Sequence, residues 1–165
     1  ASIKRRHVDM ERLAREVVEM LRSEQGDRVL VFEIDALPPC YVDRALFKEV
    51  LLNMVSNSIK FTRPREKTLI QLGYLETADE TVYFVRDNGI GFDMNKSSFL
   101  FMPFHRLHRS SDYEGSGIGL ALVRRIIERH GGRIWCESKV DEGATFYFTV
   151  WDETNEYTSL KGSQA

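Results

Sequence analysis

The segment FKEVLLNMVSNSIKF, residues 47–61, places the tightest constraint on the fold of this chain. At about 100° per residue, Phe47, Val50, Leu51, Leu52, Met54, Val55 and Ile59 cover most of a helical circumference, while Glu49, Asn53, Ser56, Asn57 and Lys60 gather in one narrow arc. The pattern predicts a long helix from about Asp43 to Phe61, ending before Pro64 and buried on most sides. An unpaired buried amide costs on the order of 1 to 3 kcal/mol, so something polar should lie against Asn53, Asn57 and Lys60. On this helix alone two readings stay open. The ridge is either an ordinary solvated face or a chemical one. In the second case a side-chain amide oxygen takes one position on Mg²⁺, which keeps several waters and binds through few protein ligands plus phosphate oxygens. Lys60, one turn on, then meets a terminal phosphate as a point charge.

The rest of the chain supplies the cover. Residues 9–23 predict an amphipathic helix behind an Asp9 cap, with Met10, Leu13, Val17, Met20 and Leu21 at helical spacing and Gly26 as its stop. Residues 29–35 read as a strand before Pro38-Pro39, and 68–76 with 81–87 read as a hairpin around the turn at Ala78 to Glu80. Helical spacing returns from Ile118 to His130 and stops at Gly131-Gly132. Strands at 133–138 and 144–150 follow, joined by a Glu142-Gly143 turn. From Asn88 to Gly119 only FLFMPF, residues 99–104, is apolar, and a stretch that long without periodicity is either disordered or a functional loop. The tail, 152–165, is polar and expected to fray. Strands clustered with a few helices, without steady βα alternation, predict an α/β (α+β) two-layer sandwich. Its sheet is mixed, mostly antiparallel and of about five strands, packed on one face by about three helices.

Composition narrows the chemistry. A length of 165 residues with 42% hydrophobic content suits one domain, here 9–151. The formal charge of −2, from 23 basic and 25 acidic residues, lacks the basic excess that nucleic acid requires. Cys40 and Cys136 are far apart and outside any paired spacing, so neither a zinc site nor a disulfide scaffold is suggested, and a reducing cytoplasm fits. No stretch approaches the roughly 18 apolar residues of a membrane span, and Ala1 to His7 lacks the apolar core of a signal peptide. A soluble cytoplasmic domain with no membrane contact of its own is expected, from a parent protein that is either soluble or membrane-bound.

Two glycine-rich stretches stand in the second half. Asp87-Asn88-Gly89-Ile90-Gly91 leaves a strand, and Gly115-Ser116-Gly117-Ile118-Gly119 enters a helix. Glycines let a backbone approach a ligand closely, and exposed amides at a helix start favour anions, so the second loop suits phosphates. Neither loop has dinucleotide or Walker spacing. Each taken singly is equally a plain turn, with Asp87 as its cap.

Taken in order, the Asn-ridge helix, DNGIGF, FMPFHRLH, GSGIGLAL and GATFYF resemble the N, G1, F, G2 and G3 boxes of histidine kinase catalytic domains, over roughly residues 8 to 150. HGGRIWCES after the G2 helix is also typical of sensor kinases. The wording FDM, FHRLH and YEGSGIGLALVRRIIERHGG is similar to kinases attached to phytochrome, PAS or GAF sensor modules. The wider superfamily includes DNA gyrase, mismatch-repair ATPases and the ninety-kilodalton heat-shock chaperones.

The resemblance implies a Bergerat fold with a flexible ATP lid, and ATP with Mg²⁺ as its ligands. It implies that Asn57 supplies the metal ligand, that Asn53 helps hold metal or phosphates, and that Lys60 contacts phosphate. Asp87 would accept from the adenine amino group, where guanine presents a carbonyl, and Gly89 and Gly91 would make room for the ring. The lid would run from about Phe92 to Glu114, with Phe101 and Phe104 packing it down and Arg106 reaching the γ-phosphate. Gly115, Ser116, Gly117, Ile118, Gly119 and Leu120 would wrap the phosphates. Gly143 to Thr145 would close the sheet behind the site, with Thr145 among the nucleotide contacts.

Histidine kinases usually place an acidic residue directly after the phosphoacceptor. Here His7, His105, His108 and His130 are followed by Val8, Arg106, Arg109 and Gly131. The resemblance therefore implies a phosphoacceptor on a separate dimerisation domain, a response regulator downstream, and residues 1–8 as the end of a linker. Water-using ATPases of the superfamily carry Glu at the position of Asn53, and a neutral amide cannot take the proton of water. Glu49 lies one turn away and keeps that alternative open. Anti-sigma-factor serine kinases, which usually lack the Phe-rich box, and a degenerate docking module are the other readings. HRLHRSSD is read as a solvated polar cluster, not a hydrolase triad.

Overall fold

In the computed structural model, residues 2–102 and 119–152 are described. Two aspartates open the long helices. Asp9 is extended (φ −70°, ψ 97°) and its carboxylate accepts from the Arg12 N–H, starting α1 at Met10–Arg22. Asp43 (φ −77°, ψ 113°) accepts from the Leu46 N–H and starts α2 at Arg44–Phe61. α1 buries Met10, Leu13, Ala14, Val17 and Val18. Met20, expected on the apolar stripe, is 44% exposed. Ala14 and Val18 take its place, because α2 and the first sheet strand set which arc is covered.

The main sheet has five strands in the order β2-β4-β5-β7-β6. They are β2 Val29–Ile34, β4 Lys67–Glu76, β5 Thr81–Asp87, β7 Gly143–Phe148 and β6 Ile134–Lys139. β2 runs parallel to β4, and every other pairing is antiparallel. Helices α1, α2 and α3 (Gly119–Arg129) share one core with one sheet face, where Ile70, Leu72, Tyr83, Val85, Phe146 and Phe148 meet Phe47, Val50, Met54, Val55, Val123 and Ile127. The alternation of the strands sends Val82, Phe84 and Tyr147 to the opposite face, where Trp135 packs on them. This is the predicted two-layer sandwich, with element ends displaced by only a residue or two.

A second, two-stranded sheet stands beside the expected elements. β1 (Arg6–Val8) pairs antiparallel with β3 (Cys40–Val42), so part of the expected linker is built against the domain. The Lys4 N–H donates to Asp43 Oδ2 at 3.0 Å, and the Arg5 guanidinium donates to the Arg129 carbonyl at 3.2 Å. A short 3₁₀ helix at Met94–Phe99 follows β5.

His130, at the end of α3, is fully buried. Its Nε2 accepts from the Asp43 N–H at 3.1 Å, and its Nδ1 lies 2.8 Å from the Ile126 carbonyl, so this network places the proton on Nδ1. The ring sits edge-on to Phe47, with centroids 4.7 Å apart. Burial pushes its pKa below the ordinary histidine value. It is a structural tie between helices and offers no exposed nitrogen.

Candidate functional site

The polar ridge of α2 is neither core nor open surface. Glu49 is exposed, whereas Asn53, Ser56, Asn57 and Lys60 are half-buried. Asn53 Nδ2 donates to the Glu49 carbonyl at 2.8 Å, which turns Oδ1 away from the helix. That oxygen faces the start of α3, where a methyl group on Gly119 would stand 2.8 Å from it. The ridge and the last glycine of GSGIG therefore meet. Leu120 drives its side chain into the core, so any ligand contact there falls to its main chain. Gly115, Ser116, Gly117, Ile118, Phe104 and Arg106 lie outside the described residues.

Asp87 ends β5 on the helix side of the sheet and is 6% exposed. Its Oδ1 accepts from the Gly89 N–H at 2.9 Å and from the Ala144 N–H at 3.3 Å. Burial raises its pKa, against the two amides and the neighbouring Ser58 hydroxyl, which favour the charged form. Ser58 belongs to α2, so the carboxylate lies beside the helix that carries Asn57 and Lys60. A cleft of about 370 Å³ opens next to Asp87, bounded by Met94, Ser138, Lys139, Gly143 and Ala144. The arrangement offers a fixed acceptor beside a helix that carries two amides and a cation.

Three of the expected site residues also have packing partners within the protein. At Gly89 and Gly91, expected to make room for a ring, protein backbone fills the space a side chain would need. A Cβ on Gly89 would run into the Phe61 carbonyl, and one on Gly91 into that of Lys139. Gly91 also has φ +62°, a left-handed conformation that other residues adopt only under strain. These glycines let the loop pack on α2 and on the β6–β7 turn. Thr145, expected among the ligand contacts, pairs with Arg86 and Glu137, accepts from Arg86 Nε at 3.2 Å, and lines the cleft beside Asp87. The inner position belongs to Ala144, because side chains alternate along β7.

Two arginines that the sequence reading passes over brace the site. Arg28 donates to the Ile59 carbonyl at 2.9 Å and to the Thr62 and Thr68 hydroxyl oxygens, holding the end of α2. Arg65 donates to the carbonyls of Asn88 at 2.8 Å, Gly89 at 3.0 Å and Asp141 at 2.8 Å. In the sequence RPREK it looks like one charge of a basic surface turn. No local pattern announces partners as distant as Asp141.

Comparison with known proteins gives a consistent picture. Residues 42–154 match the family model described as histidine kinase-, DNA gyrase B-, and HSP90-like ATPase. The chain is 45% identical over 116 residues to cyanobacterial phytochrome A of Nostoc sp., covering 70% of this chain and 15% of that protein. It is 47% identical over 113 residues to the methanogenesis regulatory histidine kinase FilI of Methanothrix harundinacea, covering 68% of this chain and 12% of that protein. The catalytic domain of histidine kinase ThkA superimposes with a TM-score of 0.73 at 26% identity, covering 89% of this chain and 95% of that one. The chain thus spans less than a fifth of either curated relative and nearly all of an isolated catalytic domain.

Proposed function

The chain belongs to the histidine kinase-, DNA gyrase B- and HSP90-like ATPase family and carries its histidine kinase type of domain, and on that premise we propose that it binds ATP with Mg²⁺ and presents the γ-phosphoryl group to a histidine on a separate dimerisation domain. The observation that supports this most is the setting of Asp87. A buried carboxylate held by two main-chain N–H groups keeps one orientation, ready to accept from an exocyclic amino group. Guanine presents a carbonyl at that position, which makes the acceptor selective for adenine.

On this reading Asn57 holds the metal through its amide oxygen, Asn53 Oδ1 faces the phosphate side beside Gly119, and Lys60 and Arg106 contribute positive charge. The half-buried amides of the ridge carry oxygen donors suited to Mg²⁺, which takes few protein ligands. When bound, the ion neutralises phosphate charge. The chain's own contribution is position and electrostatics, which dominate phosphoryl transfer. The nucleophile comes from outside: His130 is buried, and no other histidine has an acidic neighbour. The partners that follow are a dimerisation domain of the same full-length protein and a response regulator, with no nucleic acid. We place the domain in the cytoplasm without membrane contact of its own. Among the described residues no helix is long and apolar enough to cross a membrane.

A radiolabelled-ATP assay tests the reading. The chain alone should neither label itself nor release phosphate at a useful rate, yet should label a cognate dimerisation domain added in trans. Brisk phosphate release without a partner would favour water as nucleophile. Equal transfer by Asn57→Ala would remove the metal-ligand assignment while leaving the family intact.

A further inference from the structure

We propose that Arg65 is a positioning residue for base recognition: its guanidinium, spread over three main-chain carbonyls of two loops, fixes the turn on which Asp87 is presented. The inference rests on the nucleotide reading above and extends it to a residue outside the motifs.

The geometry forms a closed circuit. Arg65 is anchored to the end of α2, where its own N–H donates to the Thr62 carbonyl at 2.9 Å. Its side chain reaches Asn88 and Gly89, the two residues after Asp87, and crosses to Asp141 in the β6–β7 turn. Asp141 in turn donates its N–H to the Ile90 carbonyl at 2.7 Å, and Ile90 donates to the Phe61 carbonyl at 3.0 Å. The loop that follows Asp87 is therefore held from the helix, from the turn, and by Arg65 between them. Asp141 has φ +66°, a left-handed conformation uncommon for a residue other than glycine. A conformation of that kind persists where its surroundings enforce it, and the guanidinium bond to its carbonyl is one such restraint.

The partners also identify what kind of work this arginine does. Among the described residues its three hydrogen-bond acceptors are all main-chain carbonyls, with no carboxylate, so the side chain orders backbone instead of balancing a charge. A planar guanidinium with five donors can span three carbonyls, and an ammonium on a flexible stem cannot hold the same set at once. The carbonyls that the guanidinium holds belong to the turn after Asp87 and to the β6–β7 turn. None belongs to the Asn53–Asn57 ridge.

This asymmetry makes the inference measurable. Calorimetry on the chain with ATP, GTP and inorganic tripolyphosphate separates base recognition from phosphate recognition. Arg65→Ala should weaken ATP by about tenfold, the cost of one misaligned hydrogen bond to a charged group, while tripolyphosphate binds as to the parent and the preference for ATP over GTP shrinks. Arg65→Lys should recover part of the preference. Val17→Ala, a core truncation in α1, serves as the control: it should lower Tm without moving the ATP-to-tripolyphosphate ratio. If Arg65→Ala lowers Tm and keeps the parent's ratio, the inference is overturned and Arg65 is a stability residue alone. If the parent itself binds ATP no better than tripolyphosphate, the adenine reading and this inference fall together. Should Arg65→Ala not fold, Arg65→Lys and Arg65→Gln carry the same expectation, and a full ATP preference in both overturns it.

Discussion

Asp43 and His130 lie 87 positions apart in sequence, and the main-chain N–H of the first donates to Nε2 of the second at 3.1 Å. The bond requires a neutral imidazole. Burial depresses the histidine pKa, assisted by the charges of Arg5 and Arg129, and opposed by the Ile126 carbonyl and the Asp43 carboxylate. The unfolded chain then takes up a proton at higher pH than the folded one. Stability is complete above about pH 6.5, the ordinary histidine value, and falls as pH drops below it. Urea unfolding across this range should show the fall, with a slope of at most about 1.4 kcal/mol per pH unit from this one group. His130→Gln retains a donor and an acceptor and should flatten the slope. An unchanged slope would assign the effect elsewhere.

Asp87→Asn separates binding from stability. The fold raises the Asp87 pKa, chiefly by burial, so the charged form is carried at a cost. The amide can still accept from the Gly89 and Ala144 N–H groups through its oxygen. The variant should therefore melt no lower than the parent, while ATP affinity drops at least tenfold through the loss of a charged acceptor. A variant that melts well below the parent, or one that binds ATP normally, contradicts the role assigned here.

Substitutions at two glycines should fail in different ways. Gly91→Ala forces a side chain into a left-handed backbone and against the Lys139 carbonyl, at a cost of about 1 to 3 kcal/mol from conformation alone. For a domain of this size that corresponds to a Tm lower by several degrees. Gly119→Ala sits in a helix, where alanine is favoured, but its methyl meets Asn53 Oδ1 at 2.8 Å. Its Tm should be close to the parent's, with Mg²⁺-dependent nucleotide binding impaired as Asn53 is displaced. Thermal melts paired with calorimetry distinguish the two.

The cysteines should be inert in the native chain. Both are buried, which pushes the Cys40 thiol up to about 12 and the Cys136 thiol up to about 11. Thiolate is the reactive form, so a disulfide reagent at neutral pH should modify neither until the domain opens, and both once it is denatured. Fast native labelling of either would show that it is more accessible than its burial implies.

The sequence carries the main elements because their signals are local. Asp9 and Asp43 each precede a clear helical spacing, and 81–87 matches β5 in full. β1 and β3 escaped because a three-residue strand shows no alternation, and their pairing joins segments 32 positions apart even at its closest pair, Val8 with Cys40. That Ala144 is the register partner of Asp87 becomes legible only once the pairing of β5 with β7 is known. Arg65 escaped for a different reason: its value lies wholly in carbonyls contributed by other segments, and a carbonyl has no sequence signature.

The clamp on residues 4 to 8 ties one short strand to two helices. Lys4 is bonded to Asp43 at the start of α2, Arg5 to the carbonyl of Arg129 at the end of α3, and Arg6–Val8 to β3 alongside. A tug along this strand loads its ladder in shear, with the bonds sharing the force, instead of peeling them one at a time. The load arrives at the near ends of two packed helices. Further along, the same pair meets at Asn53 and Gly119, so a shift of α2 against α3 alters the width of the gap between them.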